Sequence, residues 1–376
     1  MQPDFDRVLD RSATYSTKWN KFDSDVLPFW VADMDFAAPD FILDAIRERL
    51  AHPILGYTEQ PKTLNCAFRT WLAHHFAWEV PEEWIVWVPG VVPMLNLAAR
   101  CNAPGSSLLI PTPVYHPFLG VAAHAGLDHI LVPMREKEGW RMDFPAMAAA
   151  LTPATTMMMI CNPQNPTGRC YSAEELAQLA EFVQQHNLVL VSDEIHCNII
   201  MQDHCQHLPV AASQTAISQQ TISLFAATKV YNIPGLSCAA AVIPDAALRS
   251  RFMHERAGLT PGIGPLAYVA SEAAFNDRSA WMPRLLDYLR DNLTLVQAAL
   301  GDRVGPVEAT YLAWINIADL NLDDAEAHFA SHGVGISPGA QFGAPDYIRF
   351  NFGCPKRLLT EGLNRLNTAI SAALEA

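Results

Sequence analysis

The sequence predicts an α/β protein whose large domain is built on a doubly wound, mostly parallel seven-stranded sheet, with a smaller α+β domain beside it. The chain has 376 residues, about the length of two domains, and half of them are hydrophobic. Short apolar runs alternate with longer amphipathic segments from about residue 85 to 245, as in parallel sheets covered by helices. The C-terminal third breaks this alternation, which predicts a different architecture there.

The central part of the chain supplies the elements of the parallel sheet. Short apolar runs bounded by Gly, Pro or polar residues are typical of buried strands. The seven predicted strands are 84–88, 107–110, 129–133, 156–160, 188–191, 221–225 and 238–243. Amphipathic segments between them predict helices, among them 92–101, 117–125 and 172–185. Ser172 and Glu175 form a capping-box start for the last of these.

The C-terminal third predicts the smaller domain. Its expected elements are a helix over 281–300, a strand over 311–317, a helix over 323–332, a strand over 347–352 and a helix over 358–374. The segment before residue 40 is too short for a core of its own, so we expect it to pack on another part of the chain. The predicted domains are therefore 40–285, and 1–39 joined with 286–376.

Charge and cysteine usage narrow the function classes. Lys and Arg number 25 against 39 Asp and Glu, a net charge of −14, which argues against nucleic acid and anionic membranes as partners. The start of the chain has no signal-peptide pattern, and no apolar stretch is long enough to span a bilayer. Eight scattered cysteines without a CxxC pair favour a reducing cytoplasm. The His- and Cys-containing run 203–207 has no partner cluster in the sequence, so no metal site is expected.

Polar and aromatic residues follow the predicted strands, where ligands bind in open parallel sheets. The turn 89–92, with Gly90, follows the first strand and leads into a helix whose N-terminal amides suit a phosphate. The residues that follow the other strands are Tyr115, Asn165, Asp193, His196, Thr228 and Lys229.

Lys229 and Asp193 are the most informative of these residues. Lys229 lies between an apolar strand and the uncharged run 230–244, a setting that lowers a lysine pKa and makes the amine a nucleophile. Asp193 has the alternative interpretation of a helix N-cap. A lysine, a carboxylate, an amide, an aromatic ring and a helix terminus at neighbouring strand ends together suit pyridoxal phosphate (PLP), bound to the lysine as a Schiff base.

Several motifs resemble those of a known family. NPQNPTG at 162–168, SDEIH at 192–196 and TK at 228–229 resemble the motifs of fold-type I PLP enzymes of the aminotransferase superfamily. FWVADMDF at 29–36, KVYNIPGL at 229–236, TYLAW at 310–314 and RFNFGCP at 349–355 resemble more closely the MalY/PatB group of cystathionine β-lyases. The resemblance extends from Phe5 to the C-terminus, and it implies the PLP-dependent transferase-like fold.

The resemblance also implies roles for individual residues. Lys229 would bind the cofactor aldehyde and move the Cα proton, Asp193 would pair with the pyridine nitrogen, and Tyr115 would stack on the ring. Asn165, and His196 beside it, would face the phenolic oxygen. Thr228 and the Val91 and Val92 amides would contact the cofactor, with Tyr57 reaching the phosphate from a second subunit of a homodimer. Arg349 would clamp the substrate carboxylate, and the other expected substrate contacts are Asp33, Trp30 and Tyr311.

Two departures and several alternatives accompany this interpretation. Ala226 stands where relatives often carry a Ser or Thr, and Pro93 where an aromatic residue often follows the phosphate turn. Tyr57 has the alternative of an ordinary turn residue, and Trp30 and Trp314 that of core packing. The expected reaction is β-elimination from cystathionine or another cysteine S-conjugate. An aminotransferase of amino acids is the alternative, and a regulatory protein that keeps the fold is a third.

Overall fold

The computed structural model describes residues 3–375. Its strands are β1 Leu27–Pro28, β2 Ile85–Val88, β3 Ser107–Thr112, β4 Asp128–Pro133, β5 Thr155–Cys161, β6 Val189–Asp193, β7 Thr221–Phe225, β8 Ala239–Val242, β9 Leu312–Asn316, β10 Val334–Gly335, β11 Ser337–Pro338 and β12 Tyr347–Asn351. Its helices are α1 Asp40–Leu50, α2 Lys62–Phe76, α3 Val91–Arg100, α4 Pro117–Ala125, α5 Phe144–Ala150, α6 Ala173–Gln185, α7 Val210–Ser213, α8 Ala246–Arg256, α9 Pro265–Phe275, α10 Trp281–Leu300, α11 Ala325–Ser331 and α12 Lys356–Glu375.

The central sheet has seven strands in the order β2-β8-β7-β6-β5-β3-β4, which confirms the predicted fold class. β8 runs antiparallel to both of its neighbours, and the pairings among β3, β4, β5, β6 and β7 are parallel. The inner strands are buried on both faces because helices cover both sides of the sheet. Side chains alternate accordingly: Met157 and Met159 of β5 enter one core cluster, and Met158 and Ile160 enter another.

The two chain ends pack together beside this sheet. β9, β12 and β11 form an antiparallel three-stranded sheet, and β1 pairs in parallel with β10. Phe29, next to β1, stacks on Phe350 of β12 with ring centroids 4.4 Å apart. The N-terminal segment thus packs on C-terminal elements, as expected. The boundaries 40–285, 1–39 and 286–376 stay a prediction, and residues 1, 2 and 376 lie outside the described residues.

The remaining differences from prediction concern element ends and unassigned helices. β2 starts at Ile85 because Glu82–Trp84 forms a 3-10 turn, and α12 starts at Lys356, directly after a proline. Helices α1, α2, α5, α7, α8 and α9 and the two-residue strands β1, β10 and β11 had no predicted counterpart in the sequence. Among the helices of residues 3–375, none is both long enough and apolar enough to cross a membrane.

Candidate active site

A cavity of about 270 Å³ opens at the carboxyl ends of β2, β5, β6 and β7. These ends lie at one edge because the four strands run in the same direction. Eight of the predicted site residues line the cavity: Val91, Val92, Tyr115, Asn165, Asp193, His196, Thr228 and Lys229. Residues that follow different strands, spread over more than a hundred positions of the chain, therefore meet in one place.

Lys229 follows β7 and presents its amine at the cavity wall. Its Nζ donates a 2.7 Å hydrogen bond to the Ala32 carbonyl oxygen. Burial lowers the pKa of Lys229 to about 8, helped by the charge of Arg349 and opposed by Asp33 and Asp193. An amine with this pKa has a substantial neutral fraction near neutral pH, and the neutral form is the nucleophile and the base.

Asp193 ends β6 and is 2% exposed. Its Oδ1 accepts a 3.2 Å hydrogen bond from the Ile195 amide. Burial raises the pKa of Asp193 to about 7. The N-cap alternative is wrong, because the chain after Asp193 forms turns and the next helix begins only at Val210. A buried carboxyl with so little compensation suits a cationic N–H group in the cavity.

The β2–α3 turn brings the N-terminus of α3 to the cavity. Gly90, at the N-cap position, has φ +105°, a conformation that residues with a Cβ rarely adopt. The first amides of a helix have no intrahelical acceptor, and α3 has no side-chain cap. The amides of Val91 and Val92 are therefore available to an anion, while Pro93 offers none.

Hydroxyl groups line the cavity beside α3. Ala226 lines the cavity and, as the sequence indicated, contributes no hydroxyl. Thr228 and Ser237 both line it as well.

Tyr115, Asn165 and His196 complete the cavity wall. Tyr115 is partly buried, and burial raises the pKa of its phenol, so the ring keeps its proton. His196 is buried, its Nδ1 has no hydrogen-bond partner, and burial lowers its pKa, so the imidazole is neutral. Asn165 is buried and uses its Oδ1 to accept a 2.9 Å bond from Nη1 of Arg349.

Arg349 lies on β12, beside the cavity. It is 3% exposed, and its guanidinium lies over the Phe342 ring at 4.6 Å from the centroid. Its hydrogen-bond acceptors are neutral: Asn165 Oδ1 and, at 2.8 Å from Nη2, the Trp30 carbonyl. Nε has no partner, and burial lowers the pKa of Arg349 to about 10. A buried cation with neutral partners suits a carboxylate ligand.

Trp30, Tyr311 and Asp33 are the three other predicted substrate contacts, and each makes hydrogen bonds or an ion pair within the protein. Trp30 contributes its carbonyl to Arg349, while its indole N–H donates to Lys18 O at 3.0 Å. Tyr311 is fully buried, and its hydroxyl donates to the Ala32 carbonyl at 3.0 Å. Asp33 pairs through Oδ2 with Arg11 at 2.9 Å, and its buried Oδ1 has no hydrogen-bond partner.

Tyr57 and Trp314 lie outside the cavity lining. Tyr57 is fully exposed in the extended segment between α1 and α2. Trp314 is 3% exposed, stacks on Tyr347 at 5.1 Å and meets the Phe342 ring edge-on, so its ring packs in a small aromatic cluster.

Sequence reasoning missed the contribution of Ala32. Its carbonyl holds Lys229, and a backbone group leaves no signal in residue type. Ser237 was also missed, although it lies only eight positions after the lysine. Asn351 belongs to the motif RFNFGCP at 349–355, but no role was predicted for it from the sequence. The alternation of side chains along a strand would have placed it on the same face as Arg349.

The run 203–207 does have a partner in space, contrary to expectation. Ligand atoms of His204, Cys205 and Glu308 lie within 4.8 Å of one another. Glu308 Oε2 already accepts bonds from Arg169 Nε at 3.0 Å and the Cys170 amide at 2.8 Å. His207 is bound instead to Glu194 at 2.9 Å. The absence of a metal site stays a prediction.

Known proteins resemble the chain over nearly its full length. The family model for aminotransferase class I and II matches residues 24–366. Cystathionine beta-lyase PatB of Bacillus subtilis is 34% identical over 98% of this chain and 100% of its own length. Protein MalY of Escherichia coli is 31% identical over 98% and 99%. The PLP-bound C–S lyase of Staphylococcus hominis superposes with a TM-score of 0.91 at 29% identity, covering 98% of each chain.

Proposed function

This chain belongs to the aminotransferase class I and II family, and we propose that it is a PLP-dependent carbon–sulfur β-lyase. The expected substrates are L-cystathionine and related cysteine S-conjugates, cleaved to a thiol, pyruvate and ammonia. The observation that carries the proposal is the presence of a buried amine, Lys229, and a buried carboxyl, Asp193, in the lining of one cavity beside Arg349. The relatives named cystathionine beta-lyase and C–S lyase favour this branch of the family.

The residues present fit PLP. Asp193 is a buried carboxyl that lacks a cationic partner, His196 Nδ1 is an unpaired buried nitrogen, and α3 offers free amides at the cavity. We propose that Asp193 holds the pyridine nitrogen, that Asn165 and His196 face the phenolic oxygen, and that Tyr115 stacks on the ring. The Val91 and Val92 amides and the Thr228 hydroxyl would hold the phosphate end. When bound, PLP supplies an electron sink for the bond broken at Cα.

The protein residues would orient the substrate and move its proton. Arg349 would bind the α-carboxylate with its guanidinium, which is fixed by Asn165 and the Trp30 carbonyl. Lys229, once its amine is released to the substrate side, would take the Cα proton; its lowered pKa suits a base near neutral pH. The Cβ–S bond then breaks, the thiolate leaves with the electron pair, and water converts the three-carbon fragment to pyruvate and ammonia.

A homodimer with shared sites is the proposed assembly. The segment 52–60 is exposed and carries apolar side chains, with Ile54 at 66% and Leu55 at 55% exposure. Leu55 lines a groove together with Pro89, which also lines the active-site cavity. Tyr57, in the same segment, would therefore be positioned to reach a neighbouring subunit's phosphate site. We also propose a cytoplasmic location, supported by eight free thiols.

Product analysis tests the proposed reaction. Purified protein loaded with PLP is incubated with L-cystathionine, and pyruvate and free thiol are measured with and without 2-oxoglutarate. The lyase predicts equal amounts of pyruvate and thiol without any keto acid, and Lys229→Ala abolishes both. A strict requirement for 2-oxoglutarate would overturn the lyase and favour an aminotransferase.

A further inference from the structure

A short irregular segment, residues 30–34, connects the lysine to the arginine; we term it the strap. Each of its carbonyls accepts a hydrogen bond from a side chain. The donors include Arg349 Nη2 to Trp30 at 2.8 Å, Asn351 Nδ2 to Val31 at 2.6 Å, Lys229 Nζ to Ala32 at 2.7 Å, Asn351 Nδ2 to Asp33 at 2.7 Å and Asn232 Nδ2 to Met34 at 2.9 Å. Ser337 Oγ also donates to Trp30 at 2.7 Å, Lys18 Nζ to Asp33 at 3.0 Å and Arg11 Nη1 to Met34 at 3.4 Å. The strap has no regular secondary structure, and these side-chain bonds hold it in place together with bonds of its own amides, such as Met34 N to Asn232 Oδ1 at 2.9 Å.

Asn351 makes the central contact with the strap. Its Nδ2 bridges the carbonyls of Val31 and Asp33, the residues on either side of Ala32. Its Oδ1 accepts a 2.8 Å bond from the Gly353 amide, which fixes the orientation of the side-chain amide. The side chain is fully buried, so water does not compete for these bonds.

Asn351 also lies on the strand that carries Arg349. The two residues are two positions apart on β12, so their side chains lie on the same face. One face of one strand therefore holds the strap on both sides of Ala32 and provides the proposed carboxylate clamp. The strap therefore links the two groups: the Arg349 guanidinium binds the carbonyl of Trp30, and the Lys229 amine binds that of Ala32, two residues further along the same backbone.

Tyr311 supports the same carbonyl from the protein interior. Its hydroxyl and the Lys229 amine both donate to the Ala32 oxygen, which can accept two bonds. Tyr311 is fully buried, and the Ala32 oxygen is the acceptor of its hydroxyl proton.

We propose that Asn351 is a positioning residue for Lys229: by fixing the carbonyls on both sides of Ala32, it aims the Ala32 carbonyl at the amine and sets the amine's place relative to Arg349. Tyr311 assists by holding the same carbonyl. This inference rests on the proposed function, since it assigns the amine the role of nucleophile and base.

Asn351→Ala tests the proposal, and Asn292→Ala is the matched control. Asn292 is also fully buried and also donates through Nδ2 to two backbone carbonyls, those of Phe352 at 2.9 Å and Cys354 at 2.8 Å, but it makes no hydrogen bond to the strap. Asn351→Ala loses three buried hydrogen bonds and Asn292→Ala loses two, so both unfolding midpoints in urea should fall, that of Asn351→Ala somewhat further. Only Asn351→Ala should change the reactivity of Lys229.

The first measurement is the rate at which apoprotein and PLP form the visible absorbance band of the lysine-bound cofactor. The second is the steady-state kinetics with L-cystathionine protonated or deuterated at Cα. Asn351→Ala should slow band formation and lower kcat about 10- to 100-fold, the cost of a misplaced reacting group, and raise the isotope effect on kcat. Asn292→Ala should leave these values within about twofold of wild type. Equal changes in both variants would overturn the proposal.

Tyr311→Phe provides a second test that also applies if Asn351→Ala does not fold. It removes one donor to Ala32 and keeps the buried ring, and it should lower the rate of band formation and kcat with KM unchanged. A rise in KM alone would assign Tyr311 to substrate contact and contradict the proposal, and so would unchanged rates. If wild type forms the band but produces no pyruvate, the lyase function fails while the band-formation rates still test the positioning role.

Discussion

Asp193 and Lys229 are two active-site groups whose pKa values are shifted by burial in the fold. Both are removed from water, so burial disfavours their charged forms and moves the two pKa values toward neutrality from opposite sides, to about 7 and about 8. Burial makes the charged form of each group costly to the fold; in the proposed complex the pyridine nitrogen would compensate the Asp193 carboxylate, and the neutral Lys229 amine is the form that reacts. Buried groups of this kind are where an active site is expected.

Asp193→Asn should raise the stability of the apoprotein and lower its affinity for PLP. The pKa of Asp193 is raised from 3.8 to about 7, so the contribution of this carboxyl to wild-type stability is lost as pH rises from 3.8 to about 7 and does not change further above pH 7. The ionised carboxyl then costs the fold roughly 4 kcal/mol. The variant apoprotein should be more stable than wild type at pH 8 by up to that amount, and PLP should bind it at least about 10-fold more weakly.

Urea unfolding of both apoproteins at pH 4 and pH 8, with PLP titration at pH 8, measures these effects. The stability difference should be small at pH 4 and large at pH 8. A variant that is less stable at pH 8 and retains wild-type PLP affinity would refute the assigned role of Asp193.

Lys229 should capture carbonyl compounds with an unusual pH dependence. Only the neutral amine attacks an aldehyde, and its pKa is lowered to about 8. In the apoprotein, the rate with pyridoxal should rise about tenfold per pH unit up to pH 8 and then level off. The rate is followed by absorbance, with Lys229→Ala subtracted as background. A rate that keeps rising to pH 10, as for an exposed lysine, would contradict the buried environment.

At the scale of elements, the site is assembled by turns at the ends of strands. β2, β5, β6 and β7 stop at the same edge of the sheet, and the first residues after each stop enter one cavity. The turn after β2 has the strictest backbone requirement, because Gly90 at φ +105° directs the chain into α3 and presents the helix amides.

Gly90→Ala should weaken PLP binding more than it destabilises the fold. A Cβ at this φ is strained by about 1–3 kcal/mol, which the turn can relieve by rotating the amides of Val91 and Val92 away from the phosphate site. We expect a 10- to 100-fold rise in the Kd for PLP, of the size this strain implies at about 1.4 kcal/mol per tenfold. Gly264→Ala is the control, since Gly264 is also a helix N-cap but has φ −69° and open space around it. Equal PLP affinity in the two variants would exclude the proposed phosphate turn.

The strand ends were predictable, and the contacts between distant segments were not. The residues after β5, β6 and β7 follow from the lengths of apolar runs, because a buried strand stops where polar residues begin. Helix α9 was not predicted because its buried face consists mostly of the small residues alanine and serine, which give no strong apolar stripe. The strap escaped for a different reason: its carbonyls act through the backbone, so its role depends on the tertiary fold alone.

At the scale of the whole molecule, an acidic chain contains a cationic site. The net charge of −14 describes the whole chain, while Lys229 and Arg349 stand at or beside the cavity together with the positive end of α3. This local cationic site suits a small anionic ligand, and the exclusion of polyanions as partners stays a prediction. The predicted domain division, with both chain ends in one unit, remains to be tested by limited proteolysis.

The proposed shared site predicts complementation between two inactive variants. Subunits carrying Lys229→Ala are mixed with subunits carrying Tyr57→Ala, unfolded together and refolded to form hybrids. If Tyr57 serves the neighbouring subunit, each hybrid contains one site with both residues intact and regains up to half of one dimer's activity. If Tyr57 serves its own chain, or the protein is a monomer in sedimentation, the mixture gains nothing over the separate variants.

The most direct measurement is the chemical identity of the residue that carries the cofactor. The protein is loaded with PLP, reduced with borohydride to make the lysine linkage permanent, digested, and mapped by mass spectrometry. The account predicts one modified peptide, with the pyridoxyl phosphate on Lys229, and no such peptide from Lys229→Ala. A label on another lysine, or no label with PLP bound, would contradict the account.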